Sequence, residues 1–207
     1  MFTGLVQATA RVDRIDPTKT GVRLALDVRG WDHRPTPGDS ICVNGVCLTL
    51  AAPPAPMPAG VLFFFDVIPE TLTRTTLGNL APGSMVNLEH SATPTTLLGG
   101  HILQGHVDAT ASVERIDTGH EHRIVLRPSS GAMEYITPKG SVAVEGVSLT
   151  VAHADPGAGT FDIALIPVTL ERTTLGALKP GQRVNLETDV LARTLVHWAR
   201  HYAAPRN

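Results

Sequence analysis

The sequence predicts an all-β protein: two homologous six-stranded barrels in tandem, followed by a C-terminal helix. Three observations carry this. The chain repeats itself once; each repeat holds about six short strand patterns; and 19 Gly with 16 Pro among 207 residues punctuate it too often for long helices.

The repeat is read from three matched stretches. GLVQATARVDRID (Gly4 to Asp16) matches GHVDATASVERID (Gly105 to Asp117) at 9 of 13 positions, an offset of 101. SICVNGVCLTL (Ser40 to Leu50) matches SVAVEGVSLTV (Ser141 to Val151) at 6 of 11, at the same offset. IPETLTRTTLGNLAPGSMVNLE (Ile68 to Glu89) matches IPVTLERTTLGALKPGQRVNLE (Ile166 to Glu187) at 16 of 22, with the offset shortened to 98. The shortening falls in AAPPAPMPAG, read as a loop, where changes of length are tolerated. A period this long is a domain duplication rather than a solenoid. The divisions that follow are 1–97, 98–188 and a tail, 189–207, with SATPTTLLGG breaking the pattern between the halves.

Within each half, alternation of apolar and polar residues in VRLALDV and at the start of HRIVLRP reads as half-buried strands. VLFFFDVI and GTFDIALI read as buried strands, and MVNLE and RVNLE as further short ones. SICV and VCLTL flank Asn44-Gly45, a pair suited to a type I′ hairpin turn; Glu145-Gly146 takes its place in the second half. TLTRTTLG and TLERTTLG read as short helical turns stopped by glycine. Six strands escape open edges best by closing into a barrel. The tail, DVLARTLVHWARHY, has neither Gly nor Pro and reads as a helix capped by Thr188 or Asp189. Leu191, Leu195, Trp198 and Tyr202 make one apolar seam on it.

Composition excludes several classes. Hydrophobic residues at 43% and charged residues at 17% argue against disorder. A net charge of -2 offers no basic excess for a nucleic-acid partner. The longest apolar run, Val61 to Phe65, is far too short to span a bilayer, and no signal peptide is expected in MFTGLVQATA. Two cysteines, Cys42 and Cys47, are too few for a disulfide framework and lack CxxC spacing, so a reduced cytoplasm is the expected compartment.

Candidate chemistry is sparse. His197 and His201 have zinc-compatible spacing on the tail helix, but nothing nearby completes a ligand set; His120 and His122 lie in a polar loop. No metal site is expected, nor a P-loop or dinucleotide motif. Cys47 and Thr49 share one strand face, and Ser148 and Thr150 share the matching face of the other half. Val46, Leu48 and Leu50, with Val147, Leu149 and Val151, form the opposite, core-facing sides. His101 and His106 stand among Gly99, Gly100 and Gly105, where backbone can approach a ligand closely. His106 aligns with Leu5, so the halves differ there, and it is read as the catalytic candidate, with His101 as a structural residue. These residues describe a duplicated barrel that binds two similar ligands.

Taken together, MFTG at the start, GDSICVNGVCLTL, LGGHILQGHVD, KGSVAVEGVSLTV and IPVTLERTTLG resemble the riboflavin synthase family of α-subunit type, built on a duplicated lumazine-binding domain. The resemblance covers essentially the whole chain. It implies antiparallel Greek-key barrels, a homotrimer assembled around the C-terminal helices, and the substrate 6,7-dimethyl-8-ribityllumazine. Two substrate molecules exchange a four-carbon unit without metal or redox cofactor, giving riboflavin and 5-amino-6-ribitylamino-2,4-pyrimidinedione. One substrate is held by an N-terminal barrel and the other by the C-terminal barrel of a neighbouring subunit. Lumazine synthase, which makes the substrate, is a candidate associate.

Carried over by motif, the substrate contacts fall on Gly4, Leu5 and Val6, on Ser40, Leu48 and Thr49, and on Asp66, Val67, Ile68, Pro69, Glu70 and Thr71. They continue at Gly105 and Val107, at Lys139, Glu145 and Leu149, and at Ala164, Leu165, Ile166, Pro167, Val168 and Thr169. Phe2 is expected to close over the pocket. Glu145, Val168 and Ala109 depart from the usual Asp, polar residue and Gly. His106 is the natural base to take a proton from the acidic C7 methyl. Cys47, Ser148 and Thr150 are each able to add to C7 of the partner or to stabilise an adduct. The rival expectation is a carrier that binds a lumazine or flavin without turnover. Because both halves keep LT after Cys47 or Ser148, and His106 and Lys139 remain, the enzyme is favoured.

Overall fold

The computed structural model describes residues 1–129 and 131–203. In the first half, β1 (Ala8–Thr18), β2 (Gly21–Val28), β3 (Ser40–Val43), β4 (Val46–Thr49), β5 (Ala55–Met57), β6 (Gly60–Val67) and β7 (Met85–His90) form one antiparallel sheet. Its order is β4-β3-β7-β1-β2-β6-β5, and a Leu50–Phe65 bridge joins the end of β4 to β6, bringing the two sides of the sheet together. In the second half, β8 (Ala109–Asp117), β9 (His122–Pro128), β10 (Ser141–Val144), β11 (Val147–Asp155), β12 (Thr160–Leu165) and β13 (Arg183–Thr188) close into a barrel.

The sequence places a loop where β5 lies. The strand forms because Ala55 to Met57 turn back on β6 as a short outer hairpin. Pro56 is tolerated there because an edge strand leaves one side of its ladder unpaired. Both first strands break register at matching places, between Val12 and Arg14 and between Val113 and Arg115. Such a bulge bends the strand sharply enough to help a small sheet curl round.

Each barrel has its own core. Val12, Leu26, Ile41, Phe63, Phe65 and Leu88 fill the first; Val113, Leu126, Val144, Phe161, Ile163 and Leu186 fill the second. After β6 and β12 come short helices, α1 (Pro69–Arg74) and α2 (Pro167–Arg172), each opened by proline and followed by a single 3-10 turn. The tail forms α3 (Val190–His201), with the Asp189 carboxylate accepting from the Leu191 N–H as N-cap. Residues 204–207 of the tail lie outside the described residues.

A local pseudo-twofold relates the barrels at their seam. Asn44 and Gly45 both have positive φ, as do Glu145 and Gly146, so both hairpins turn as type I′. The two turns meet back to back: a Cβ at Gly45 would stand 2.9 Å from the Gly146 nitrogen, and one at Gly146 would stand 2.7 Å from the Gly45 nitrogen. Around them the same bonds occur twice. Asn87 donates to the Glu145 carbonyl (2.9 Å) and accepts from the Thr174 N–H; Asn185 donates to the Asn44 carbonyl (2.8 Å) and accepts from the Thr76 N–H.

Candidate functional site

The strand faces read from the sequence are present in both halves. Cys47 and Thr49 look outward from β4 while Val46 and Leu48 are buried; Ser148 and Thr150 look outward from β11. What covers each face comes from the other half. The Cys47 N–H donates to the Gly105 carbonyl at 2.9 Å, and the Ser148 N–H donates to the Gly4 carbonyl at 2.8 Å. At either glycine a Cβ would lie within 2.6 Å of the facing side chain, so only glycine fits this approach. Val6 packs on the second barrel's core and Val107 on the first barrel's.

Each crossing segment is anchored on its own barrel by the glutamate that ends the VNLE repeat. Glu89 accepts from the Thr3 N–H and hydroxyl (both 2.7 Å) and from the Gly4 N–H (2.9 Å). Glu187 accepts from the N–H groups of Gln104 (2.7 Å), Gly105 (3.0 Å) and His106 (3.2 Å). Burial pushes both carboxyls above their ordinary value, against the pull of these donors. Neither glutamate was a candidate from sequence. The signal available was an acidic residue at the end of the same apolar strand in both repeats.

The structure therefore sorts the catalytic candidates into two places. His106, exposed beside Gly105, belongs with Cys47 and Thr49. Ser148 and Thr150 belong with Gly4, Leu5 and Val6. There the structure adds His101, whose Nδ1 lies 2.7 Å from the Ser148 hydroxyl. Its Nε2 is buried without a partner among the described residues, and burial holds the imidazole below its ordinary pKa despite nearby Asp189. His101 is thus neutral near pH 7 and able to accept a proton.

The remaining expected contacts flank these faces. Ser40 stands opposite Thr49, as Ser141 does opposite Thr150. Asp66 and Val67 end β6; Ile68 caps α1, which begins with Pro69, Glu70 and Thr71. Ala164, Leu165, Ile166, Pro167, Val168 and Thr169 make the same passage from β12 into α2. Ile68 and Ile166 are 54% and 62% exposed, apolar surface left bare beside polar strands. Asp66 is held by Arg23 through two contacts of 2.8 Å, which keep its carboxyl below the usual range. Lys139, at positive φ, is exposed in the turn before β10.

Two expected contacts lie deeper than the sequence suggests. Phe2 is 1% exposed in the seam, packed with Leu103, Cys42 and Ala143. Glu145 faces the seam, where its carboxylate accepts from the Asn185 N–H (2.5 Å) and the Thr76 hydroxyl (3.2 Å). Its extra methylene relative to Asp reaches between the barrels, away from any bond to Ser148. Burial pushes this carboxyl up to about 8.

A cavity of about 280 Å³ lies at the second face, lined by Gly4, Leu5, Val6, Ser148, Val168 and Thr169 among others. A larger hollow of about 690 Å³ continues from it past Thr3, Gln7, Leu97 and Arg172. On the first half the hollow nearest the crossing segment, about 450 Å³, runs beside Glu70, Arg74, Val107 and Asp108. A separate cavity under Trp31 and His33, about 370 Å³, touches neither strand face. Helix α3 is held to its own barrel by Arg193, which pairs with Asp108 and donates to Gln104 (2.8 Å), and by Arg200 on Glu134. Its seam points away: Leu191, Leu195, Trp198 and Tyr202 are 63%, 66%, 57% and 69% exposed.

Two barrels with exchanged covers and paired polar faces define a duplicated small-molecule-binding protein. The model of the lumazine binding domain matches residues 3–91 and again 104–189, and the chain belongs to that family. It is 43% identical to the riboflavin synthase of Mycobacterium tuberculosis (strain ATCC 25618 / H37Rv) over 203 residues, covering 93% of this chain and 95% of that one. It is 39% identical to the riboflavin synthase of Chlamydia pneumoniae over 207 residues, covering 99% and 98%. Among solved structures, LumP complexed with riboflavin superposes with a TM-score of 0.78 at 26% identity, covering 91% of this chain and 99% of that one.

Proposed function

We propose that the protein is a riboflavin synthase, converting two molecules of 6,7-dimethyl-8-ribityllumazine into riboflavin and 5-amino-6-ribitylamino-2,4-pyrimidinedione. The observation that carries this is the division of chemical groups between two otherwise equivalent faces. One face has His106 with Cys47; the other has His101 with Ser148 and Thr150. Equivalent substrates in non-equivalent surroundings are what a dismutation needs, since one molecule must give four carbons and the other take them. The exchange balances within the two substrates, so no external oxidant and no cofactor enters it.

His106 acts as the base that removes a C7-methyl proton, leaving an anion delocalised into the ring. The neutral His101 receives the Ser148 proton as that oxygen adds to C7 of the partner. Gly4 to Val6 and Gly105 to Val107 cover the rings, and exposed Ile68 and Ile166 offer them apolar surface. Holding both reactants in register supplies about 7–11 kcal/mol at best by making the encounter intramolecular. That suits a site with few titratable groups.

The two faces meet between subunits. The first face of one subunit joins the second face of its neighbour in a homotrimer held by the α3 seams. What supports this is the bare seam itself, 57–69% exposed at four large side chains. Purified protein mixed with the lumazine, with no added cofactor, is expected to develop riboflavin absorbance. Tight binding with no riboflavin sinks the proposal and establishes the carrier reading that the likeness to LumP represents.

A further inference from the structure

The first barrel holds a second thiol that the proposed reaction does not use. Cys42 on β3 stands directly opposite Cys47 on β4, one rung from the Asn44-Gly45 turn. Opposite residues of an antiparallel pair project on the same face. Here it is the outer face, where both cysteines join Phe2, Leu103 and Ala143 in one cluster. The rung is of the non-hydrogen-bonded kind, because the Cys47 N–H turns away from β3 to the Gly105 carbonyl. Such rungs set Cα atoms about 4.5 Å apart, within the range of about 4.4–6.8 Å that a disulfide spans. Both cysteines are free thiols. The same rung of the second barrel is Ala143 opposite Ser148, so the pair belongs to one site of the two.

The two thiols are not equally reachable. Cys42 is 2% exposed; burial first, then Glu89, pushes its thiol well above the usual value. Cys47 is half-buried and opens toward the outer face of β4. An oxidant in solution meets Cys47 first and reaches Cys42 only through it.

We propose that Cys42 and Cys47 form a reversible cross-strand disulfide that switches off the first-barrel site. This rests on the reading of Cys47 as part of that site. The oxidant is a small disulfide of the glutathione class. The Cys47 thiolate attacks one of its sulfurs, forming a mixed disulfide and releasing one thiolate, which takes a proton. A turn about the Cα–Cβ bond of Cys42 then aims its sulfur at Cys47. Cys42 gives up its proton, attacks the Cys47 sulfur, forms the internal S–S bond and expels the second small thiol. Two protein thiols are oxidised and one small disulfide is reduced to two thiols. The thiol on the substrate face is consumed, and β3 is tied to β4 beneath Phe2 and Leu103.

The test uses the full reduced chain, incubated with oxidised glutathione, then denatured, alkylated with a maleimide and weighed intact. The expected chain is two hydrogen atoms lighter and carries neither glutathione nor maleimide; dithiothreitol restores two alkylatable thiols. Cys42→Ala, which installs the residue of the matching rung, is expected to keep one glutathione on Cys47 because nothing resolves it. Riboflavin formation is expected to fall at least 10-fold in the oxidised wild type and to return on reduction. Wild-type protein that retains glutathione, keeps both thiols, or cross-links between chains overturns the proposal. An internal disulfide with unchanged turnover overturns the switch. A chain inactive before oxidation refutes the catalytic reading instead. The mass then decides the disulfide, and lumazine binding before and after oxidation decides the switch.

Discussion

Phe2 and Leu103 pair as a two-residue antiparallel bridge: the Phe2 N–H donates to the Leu103 carbonyl at 2.8 Å, and the Leu103 N–H returns to the Phe2 carbonyl at 3.0 Å. They occupy equivalent places in the two repeats, so each leading segment begins against the other before crossing to the opposite barrel. Both side chains are buried, Phe2 to 1% and Leu103 to 0% exposure. Phe2→Ala opens a cavity in the seam and is expected to cost about 3–5 kcal/mol. Urea unfolding measures it; a loss under about 1 kcal/mol would mean the seam closes without the ring.

Glu145 makes stability depend on pH with a definite sign. Its carboxyl is raised to about 8 from an ordinary 4.5. The folded chain therefore holds a proton that the unfolded chain has released between those values. The stabilisation is complete below about 4.5 and is lost as pH rises through about 8. Glu145→Gln keeps the acceptor for Asn185 and removes the titration. It is expected to be more stable than wild type above pH 8, by on the order of 1–3 kcal/mol, and to flatten the decline. Equal slopes in melts across pH 5 to 9 would contradict the buried carboxyl.

The two histidines separate kinetically. His106→Ala is expected to lower turnover about 10²-fold or more with modest loss of lumazine binding. An unchanged turnover number removes His106 as the base. His101 must be neutral to take the Ser148 proton, so activity falls with decreasing pH through a pKa below the ordinary histidine value. His101→Asn is expected to lower turnover and to erase that acid limb. Lowered activity with the limb intact would leave His101 a packing residue.

The tail is tested by removing residues 189–207. The barrels retain their cores, while the α3 seam and the Arg193 contacts to Asp108 and Gln104 are lost. The expected product is a folded monomer with weak or absent turnover. Sedimentation and assay together decide it: a fully active trimer removes α3 from assembly, and a fully active monomer removes the intersubunit site.

Residues 1–97 alone are expected to fold and bind the lumazine but to turn over poorly. Among the described residues, no buried residue of the first core comes from beyond Leu88, although Val107 packs against it from outside. Circular dichroism and lumazine titration of this half check it. A half that stays unfolded would mean the barrels depend on one another for their cores.

The repeat and the alternation at Val46 to Leu50 were enough to read the barrels and their polar faces, because side-chain period alone decides which residues point outward. The resemblance supplied the family, and the matched domains agree with it. The exchange of covers was not legible. Gly4 and Gly105 announce a close approach, but sequence does not say to which barrel, and the acidic residue that ends VNLE in both repeats does not say what it would hold. His101 was missed as the partner of Ser148 for the same reason: the two stand 47 positions apart in sequence, and only packing brings them together. β5 was hidden because Pro56 reads as a breaker until its place on an edge is known.

The meeting of Gly45 with Gly146 is a mechanical stop. Main chain touches main chain there, so at this point the barrels can come no closer whatever side chains surround it. Asn44 and Glu145, the neighbouring residues of the two turns, differ while both turns keep the same approach. A single methyl group at either glycine acts as a wedge: it would have to lift the hairpins apart by a substantial part of an ångström. The carbonyls of Gly4 and Gly105 would then be drawn off Ser148 and Cys47, so one small residue far from any substrate would open both sites at once.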